Sequence, residues 1–523
     1  MINFKFFSKP LVKTLVYAVS ALCIVIVLIG MFKVSSVKSV AQEGQQSTVL
    51  SQGANDPAIV SDSTEISFTE TPEEVSTSKT YTNQELLETI NSAETHITLK
   101  GILRAILGIA VVLFIAWLFS TNRKAIKWKY VFSALLLQLV IAVCILYVPF
   151  VSTCIEYVGK IFVYINKSAT AGIQFLFADF ADQSKSGYVF AFSILPTIIF
   201  FSALTSILFH WGIIQFIVKW LGKFFSKVMG LTGVESLSLA GNIFLGQTEA
   251  PLVVKRYLPR VKDSEIFMVM VGGMATMAGG VLASYISMLG GTDPELQVAF
   301  AKHLLTASVM AAPAAVVIGR IVVPASEGKA EEVVLEKETT KNNILDVIAN
   351  GAIEGMRLAV NVATMLLVFI ALIALINYAF EIIGSWTRIN EWISSSTPYK
   401  SLSLEFIVGY AMSPIMWLIG VPSCDMVEVG QLLGIKTIVN EFVGYDTLKN
   451  MLAAGALQPK SIIMSIYILC GFANFSSIGI QIGGIGSLAP NKRPLLAKYG
   501  IRALIVAAST ALLSAIIMGM LLG

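Results

Sequence analysis

Long apolar runs alternate with short polar joints over most of the chain. The runs are Ile102 to Phe119, Tyr130 to Val151, Val189 to Leu208, Ile266 to Leu289, Ala299 to Val323, Ile353 to Phe380, Ile462 to Ile485 and Ala503 to Leu522. Each is near the roughly 20 residues that an α-helix needs to cross a bilayer. The pattern therefore predicts an all-α polytopic membrane protein with about eight core transmembrane helices. An extra hydrophobic segment, Leu15 to Phe32, follows Lys5, Lys9 and Lys13. Residues 1–34 thus read either as an uncleaved signal anchor or as a long signal peptide. Residues 35–98 are rich in Ser, Thr, Glu and Gln, too poor in apolar groups to bury a core, and read as a disordered linker. A short helix is expected within it, between Tyr81 and Ile97.

Three segments fit no simple span. Phe216 to Met229 sets Lys219, Lys223 and Lys227 beside Trp220, Phe224 and Phe225, the pattern of a helix lying in the membrane interface. Gly233 to Val261 and Leu404 to Tyr445 are apolar but broken by Gly, Pro and acidic residues. Non-helical backbone at membrane depth survives only where protein or a cavity covers it, so both segments are predicted to be re-entrant hairpins.

Composition agrees with the pattern. Only 13% of the 523 residues are charged and 55% are hydrophobic, against roughly 25% charged in a soluble domain. The formal net charge of +4 matters less than its placement, and no nucleic-acid partner is expected from it. Putting residues 122–129 in the cytoplasm also puts Lys255 to Lys262, Ser326 to Asn342 and Asn491 to Arg502 there, which satisfies the positive-inside rule at every basic loop. The linker and the C-terminus then lie outside, and the N-terminus inside. The five cysteines form no CxxC pair and the three histidines no ligand motif, so neither metal nor disulfide chemistry is expected. HExxH, GxSxG and GxxxxGK(S/T) are missing, which argues against an enzyme.

Polar residues cluster at four places within the apolar sequence. The first is Gly241-Asn242-Ile243-Phe244-Leu245-Gly246-Gln247-Thr248-Glu249-Ala250-Pro251, and the second runs from Gly272 to Val281. The third pairs Gly420 to Asp425 with Asn440 to Tyr445, and the fourth runs from Gly471 to Gln481. A charged residue at a helix centre in a membrane costs roughly 2.5–3.5 kcal/mol, so Glu249 and Glu441 need a functional reason to be there. A polar-tipped hairpin precedes a Gly-rich interrupted span, and this order occurs twice from opposite sides. The fold expected is about eight core helices plus two opposed re-entrant hairpins in inverted repeats.

GQTEAPLV at Gly246 to Val253, NEFVGY at Asn440 to Tyr445 and GFANFSSIGIQIGGIGSLAP at Gly471 to Pro490 resemble the signature segments of the concentrative nucleoside transporters. The resemblance covers Ile102 to Gly523. It implies a homotrimer in a bacterial-type inner (plasma) membrane, importing nucleosides by an elevator motion of a transport domain against a fixed scaffold. In its terms, residues 99–210 are scaffold helices and 211–325 the first transport repeat. Residues 326–385 are a cytoplasmic loop and scaffold helix, and 386–523 are the second transport repeat. The resemblance implies that Gln247, Thr248 and Glu249 face the nucleobase, that Glu441, Asn474 and Ser477 bind the ribose, and that Phe472 and Val281 form apolar walls. It implies sodium ligation by the Asn242 side chain, the Leu245 and Met277 carbonyls, and Thr276. One position departs: Ser423 stands where family members often carry Trp.

The residues themselves are compatible with these roles. A Gln amide offers donor and acceptor in one plane to a base. A carboxylate binds sugar hydroxyls by charge-assisted bonds. Sodium, a hard cation, takes oxygen ligands. No organic cofactor is expected. The coupling ion stays open at this level, because Asn242 and Thr276 favour sodium while Glu249 and Glu441 could carry protons. An elevator transporter for another polar solute is the remaining alternative, although an anionic substrate would call for a substrate-facing Arg or Lys. The linker should be dispensable: deleting residues 46–78 is expected to leave nucleoside uptake at the full-length level. A truncated protein that inserts normally but does not transport would refute this.

Overall fold

The structure, a computed structural model, describes residues 83–91, 97–181, 189–325, 343–397 and 399–522. The N-terminal hydrophobic segment, most of the linker and the loop 326–342 lie outside the described residues. Helix α1 (Asn83–Asn91) is the short helix expected near the end of the linker, and it buries Leu86 and Ile90. All eight predicted spans are helical. They are α2 (Leu99–Leu118), α3 (Trp128–Tyr147), α5 (Phe190–His210), the pair α8 (Asp263–Ala275) and α9 (Gly279–Gly290), α10 (Pro294–Val322), α11 (Ile344–Trp386), the pair α16 (Pro459–Leu469) and α17 (Phe475–Leu488), and α18 (Arg493–Leu521).

One long helix was not among the predicted spans. After Pro149 at its first turn, α4 (Pro149–Phe177) runs 29 residues with Glu156, Lys160 and Lys167 on its exposed side. Its inner face is Gly159, Val163, Asn166, Ala169 and Ile173, the three-to-four spacing of an amphipathic helix. Asn166 donates to Ser287 of α9, which ties α4 to the bundle.

The element order then runs twice. In the first copy, α5 is followed by the amphipathic α6 (Ile213–Met229), a hairpin, the interrupted helix α8–α9 and the long α10. In the second, α11 and the short α12 (Ile389–Ser396) lead to α13 (Leu404–Ile419), a hairpin, the interrupted helix α16–α17 and the long α18. Three crossings in each copy are an odd number, so the second copy runs in the opposite sense.

The two hairpins differ in detail. The first goes in through α7 (Gly233–Asn242) and returns as 3₁₀ turns at Ala250–Val254 and Leu258–Arg260. Pro259 lacks the N–H that would bond an α-helix back to Lys255. The second consists of α14 (Met426–Ile438) and α15 (Glu441–Ala453). Helix α13 is a separate element packed along α14, divided from it by Gly420 at φ 108°. The Leu404–Tyr445 segment therefore divides where α6 and α7 divide in the first copy.

Helices α8, α10 and α18 are buried at the centre, while α11 leaves most of its apolar side chains exposed, as lipid-facing helices do. Helices α2 and α3 pack on α18 and α10, and α5 packs along α11. The base of the first hairpin is fixed to α10. Thr232 and Glu235 form a reciprocal cap at the start of α7, and the Glu235 carboxylate accepts from Arg320 of α10 at 2.6 Å in a fully closed setting. Removing one partner of a buried pair leaves an uncompensated charge and costs about 3–5 kcal/mol. Arg320→Met is therefore expected to lower the melting temperature in detergent markedly. The double variant Glu235→Gln with Arg320→Met should recover most of the loss. A double variant no more stable than the single would show that the pair is not the anchor.

Candidate functional site

Two helices stop inside the bundle, and the residues singled out from the sequence gather at the stops. Helix α8 ends at Ala275 before α9 resumes at Gly279, and α16 ends at Leu469 before α17 begins at Phe475. The stops meet. Gly471 holds φ 85°, and a Cβ there would lie 2.8 Å from the Met274 carbonyl oxygen and closer still to that of Ala275. Only glycine allows both the backbone angle and the approach.

From this crossing a continuous chain of polar groups extends. Asn474 caps α17, accepting from the Ser477 N–H at 2.9 Å and the Ser476 hydroxyl at 2.7 Å. Its amide donates to Glu441 at 2.7 Å. Glu441 is the first residue of α15, just after the cap Asn440, whose side chain accepts from Val443 N–H at 3.0 Å. Gln247, at the tip of the first hairpin, donates to the Ser477 hydroxyl at 3.2 Å. One hydrogen-bonded network, with the Ser477 backbone N–H as its link to Asn474, thus joins Gln247, Ser477, Asn474 and Glu441 across both repeats, and all four are buried. Phe472 and Val281 are buried apolar groups on the second stop and on α9. Thr248 rests its methyl on α17 at Gly484, where an added Cβ would come within 2.6 Å. Glu249 accepts from Gly246 N–H at 3.2 Å. It lines a cavity of about 240 Å³ shared with Ser202 and His210 of α5 and with Asn350 and Glu354 of α11.

The four candidate cation ligands share the adjacent junction. Asn242 ends α7 and is fully buried, and neither polar atom of its amide has a hydrogen-bond partner among the described residues. Its nitrogen abuts Gly272, 3.1 Å from where a Cβ would stand. The Thr276 hydroxyl donates to the Gly272 carbonyl at 2.9 Å, which leaves its oxygen able to accept a cation. Leu245 and Met277 are buried. The hairpin tip is stitched to α9 by the Gly279 N–H on the Phe244 carbonyl at 3.0 Å.

Further residues belong to the neighbourhood. Gln481 is buried and donates to the Met270 carbonyl at 3.0 Å; it lies within the long signature segment but was not singled out. Tyr285 of α9 stacks on Tyr445 of α15 at 4.1 Å, a contact between repeats with no local sequence signal. Lys436 of α14 is fully buried, and a lone lysine in the apolar run Leu432 to Val439 was the available clue.

Comparison with known proteins fits this geometry. Family models described as the N-terminus and C-terminus of the Na+ dependent nucleoside transporter match residues 107–180 and 303–519, and a nucleoside recognition (Gate) model matches 191–292. An uncharacterised transporter of Haemophilus influenzae is 40% identical over 433 residues, covering 81% of this chain and 98% of that protein. The nucleoside permease NupC of Helicobacter pylori is 36% identical over 429 residues, covering 80% of this chain and 97% of the permease. The chain belongs to the concentrative nucleoside transporter family. The solved structure of the transporter CNTnw in an inward-facing substrate-bound state superposes with a TM-score of 0.72 at 36% identity, over 80% of this chain and 98% of that one. As a nucleoside transporter, the chain is a multi-pass membrane protein of a transporter family and not an enzyme.

The crossing at Gly471 generates a direct test. A left-handed angle costs a non-glycine residue roughly 1–2 kcal/mol, and overpacking adds about 1–3 kcal/mol. Gly471→Ala is expected to weaken nucleoside binding by about tenfold or more. Gly479→Ala, where a Cβ meets nothing within 4 Å, should bind as wild type does. Equal binding by the two variants, measured by equilibrium titration, would contradict the crossing's role.

Proposed function

We propose that the protein imports nucleosides by sodium symport, with alternating access by an elevator motion. The observation that carries the sodium reading is the buried, unpartnered amide of Asn242 beside the Thr276 hydroxyl. Two unsatisfied polar atoms in the membrane interior are costly. A hard monovalent cation held by the Asn242 side chain, Thr276 and the Leu245 and Met277 carbonyls would satisfy the oxygen. These oxygen donors fit sodium, and the bound ion would supply a charge that joins the first hairpin to the α8–α9 stop. A proton would need a carboxylate in that cluster, and the cluster contains none.

In this reading Gln247, Thr248 and Glu249 address the base. Glu441, Asn474 and Ser477 address the ribose, between the walls Phe472 and Val281. Supporting it, Asn474 already orients one oxygen of Glu441, so the carboxylate is preorganised as an acceptor. The fixed body includes α5 and α11, and the hairpins move with their interrupted helices. The transporter is a homotrimer with its N-terminus in the cytoplasm and its linker and C-terminus outside.

Uridine uptake into proteoliposomes is expected to require sodium and to fail when choline replaces it at neutral pH. Asn242→Ala should weaken apparent sodium affinity more than it alters base preference. Charged hydrogen bonds contribute on the order of 1.5–3 kcal/mol against about 1 for neutral ones. Glu441→Gln should therefore weaken uridine binding roughly tenfold and discriminate less among analogues lacking single ribose hydroxyls. Full uptake in choline would overturn the sodium reading. Unchanged analogue discrimination would overturn the ribose assignment.

A further inference from the structure

Lys436 lies in the last turn of α14 and is fully closed off from solvent. Its ammonium donates to the carbonyls of Ile468 at 2.9 Å and of Cys470 at 2.6 Å. Both belong to the C-terminal end of α16, where the chain leaves the helix and the last carbonyls lose their intrahelical donors. The negative end of the helix dipole adds to the attraction. Glu441 of the next arm is within electrostatic reach.

The first repeat has the same construction with a different group. There too a polar side chain from the end of the hairpin's ingoing arm points into the last turn of the first half-helix, as Asn242 abuts Gly272 of α8. In the first repeat that group is a neutral amide with both polar atoms unpartnered. In the second it is an ammonium bonded to backbone oxygens. Carbonyl oxygens at a helix break inside a membrane are what transporters use to coordinate cations. We propose that the Lys436 ammonium is a tethered cation, filling in the second repeat the place that an exchangeable sodium takes in the first, so that one ion is exchanged per nucleoside. The inference rests on the sodium reading for the first repeat, and it assigns to Lys436 a positioning role: it holds the Cys470–Asn474 segment from which Phe472 and Asn474 project.

The test is uridine binding to the purified, full-length transporter as a function of NaCl or LiCl at constant ionic strength, with choline as the replacement. Wild type should follow a one-ion curve. Lys436→Ala, which removes the charge and leaves room, should bind uridine about tenfold or more weakly at low sodium. High sodium or lithium should restore its binding, with a Hill coefficient rising toward two. Lys436→Met fills the space without charge and should lose affinity without cation rescue. If Lys436→Ala does not assemble, Lys436→Ser, whose hydroxyl adds a cation ligand, replaces it with the same expected curve. A retained one-ion curve in the small variants, or identical behaviour of the small variants and Lys436→Met, would overturn the proposal. The two readings fail separately. Should wild-type binding ignore sodium, the first-repeat site is wrong, yet a small variant that acquires cation dependence still supports the tethered cation, and one that stays cation-independent rejects it.

Discussion

A helix that stops inside a bilayer leaves carbonyl and N–H groups with no water to satisfy them, and this protein stops two helices at one place. Nearly every polar residue of the site can be understood from that requirement. Asn474 and Asn440 cap the helices that restart. The Phe244 carbonyl takes the Gly279 N–H, and Lys436 takes two carbonyls of the second stop. A solute with many hydroxyl and amide groups suits such a place, because it binds where the backbone is already polar.

The same requirement explains why the two repeats resemble each other in order without sharing motifs. Each must bring a hairpin tip to the broken end of a helix, but the group that closes the gap need not be the same. An amide at Asn242 leaves unmet bonding capacity, whereas an ammonium at Lys436 meets it. Similar frames therefore carry different chemistry. The aromatic stack of Tyr285 on Tyr445 and the bond from Gln247 to Ser477 then lock the frames together.

Much of this was legible in the sequence because membranes enforce a simple grammar. The eight spans were visible as apolar runs, and the hairpin tips as polar residues bracketed by glycine. Helix α4 was missed because Glu156, Lys160 and Lys167 interrupt its hydropathy, and it spends its apolar residues on one face only. The division of α13 from α14 was blurred because both are apolar and join through a short turn at Gly420. Lys436 escaped because its partners are backbone carbonyls more than thirty residues away, and backbone oxygens leave no mark on sequence. The internal bonds of the ribose candidates were likewise beyond reach, since Asn474 and Glu441 meet only through tertiary packing.

The meeting of Gly471 with the carbonyls of Met274 and Ala275 also has a consequence in time. The ribosome completes α8 long before it reaches Gly471, so the first interrupted helix enters the translocon without the segment that will cover it. Its open end must be sheltered during synthesis by the translocon channel or by water at the membrane surface. The crossing therefore closes only after Gly471 has been made, and α18, which packs on α8, α10 and α16, follows it. A nascent chain arrested before Gly471 would carry α8 with the carbonyls of Met274 and Ala275 still uncovered, and α2 without the α18 surface on which it packs.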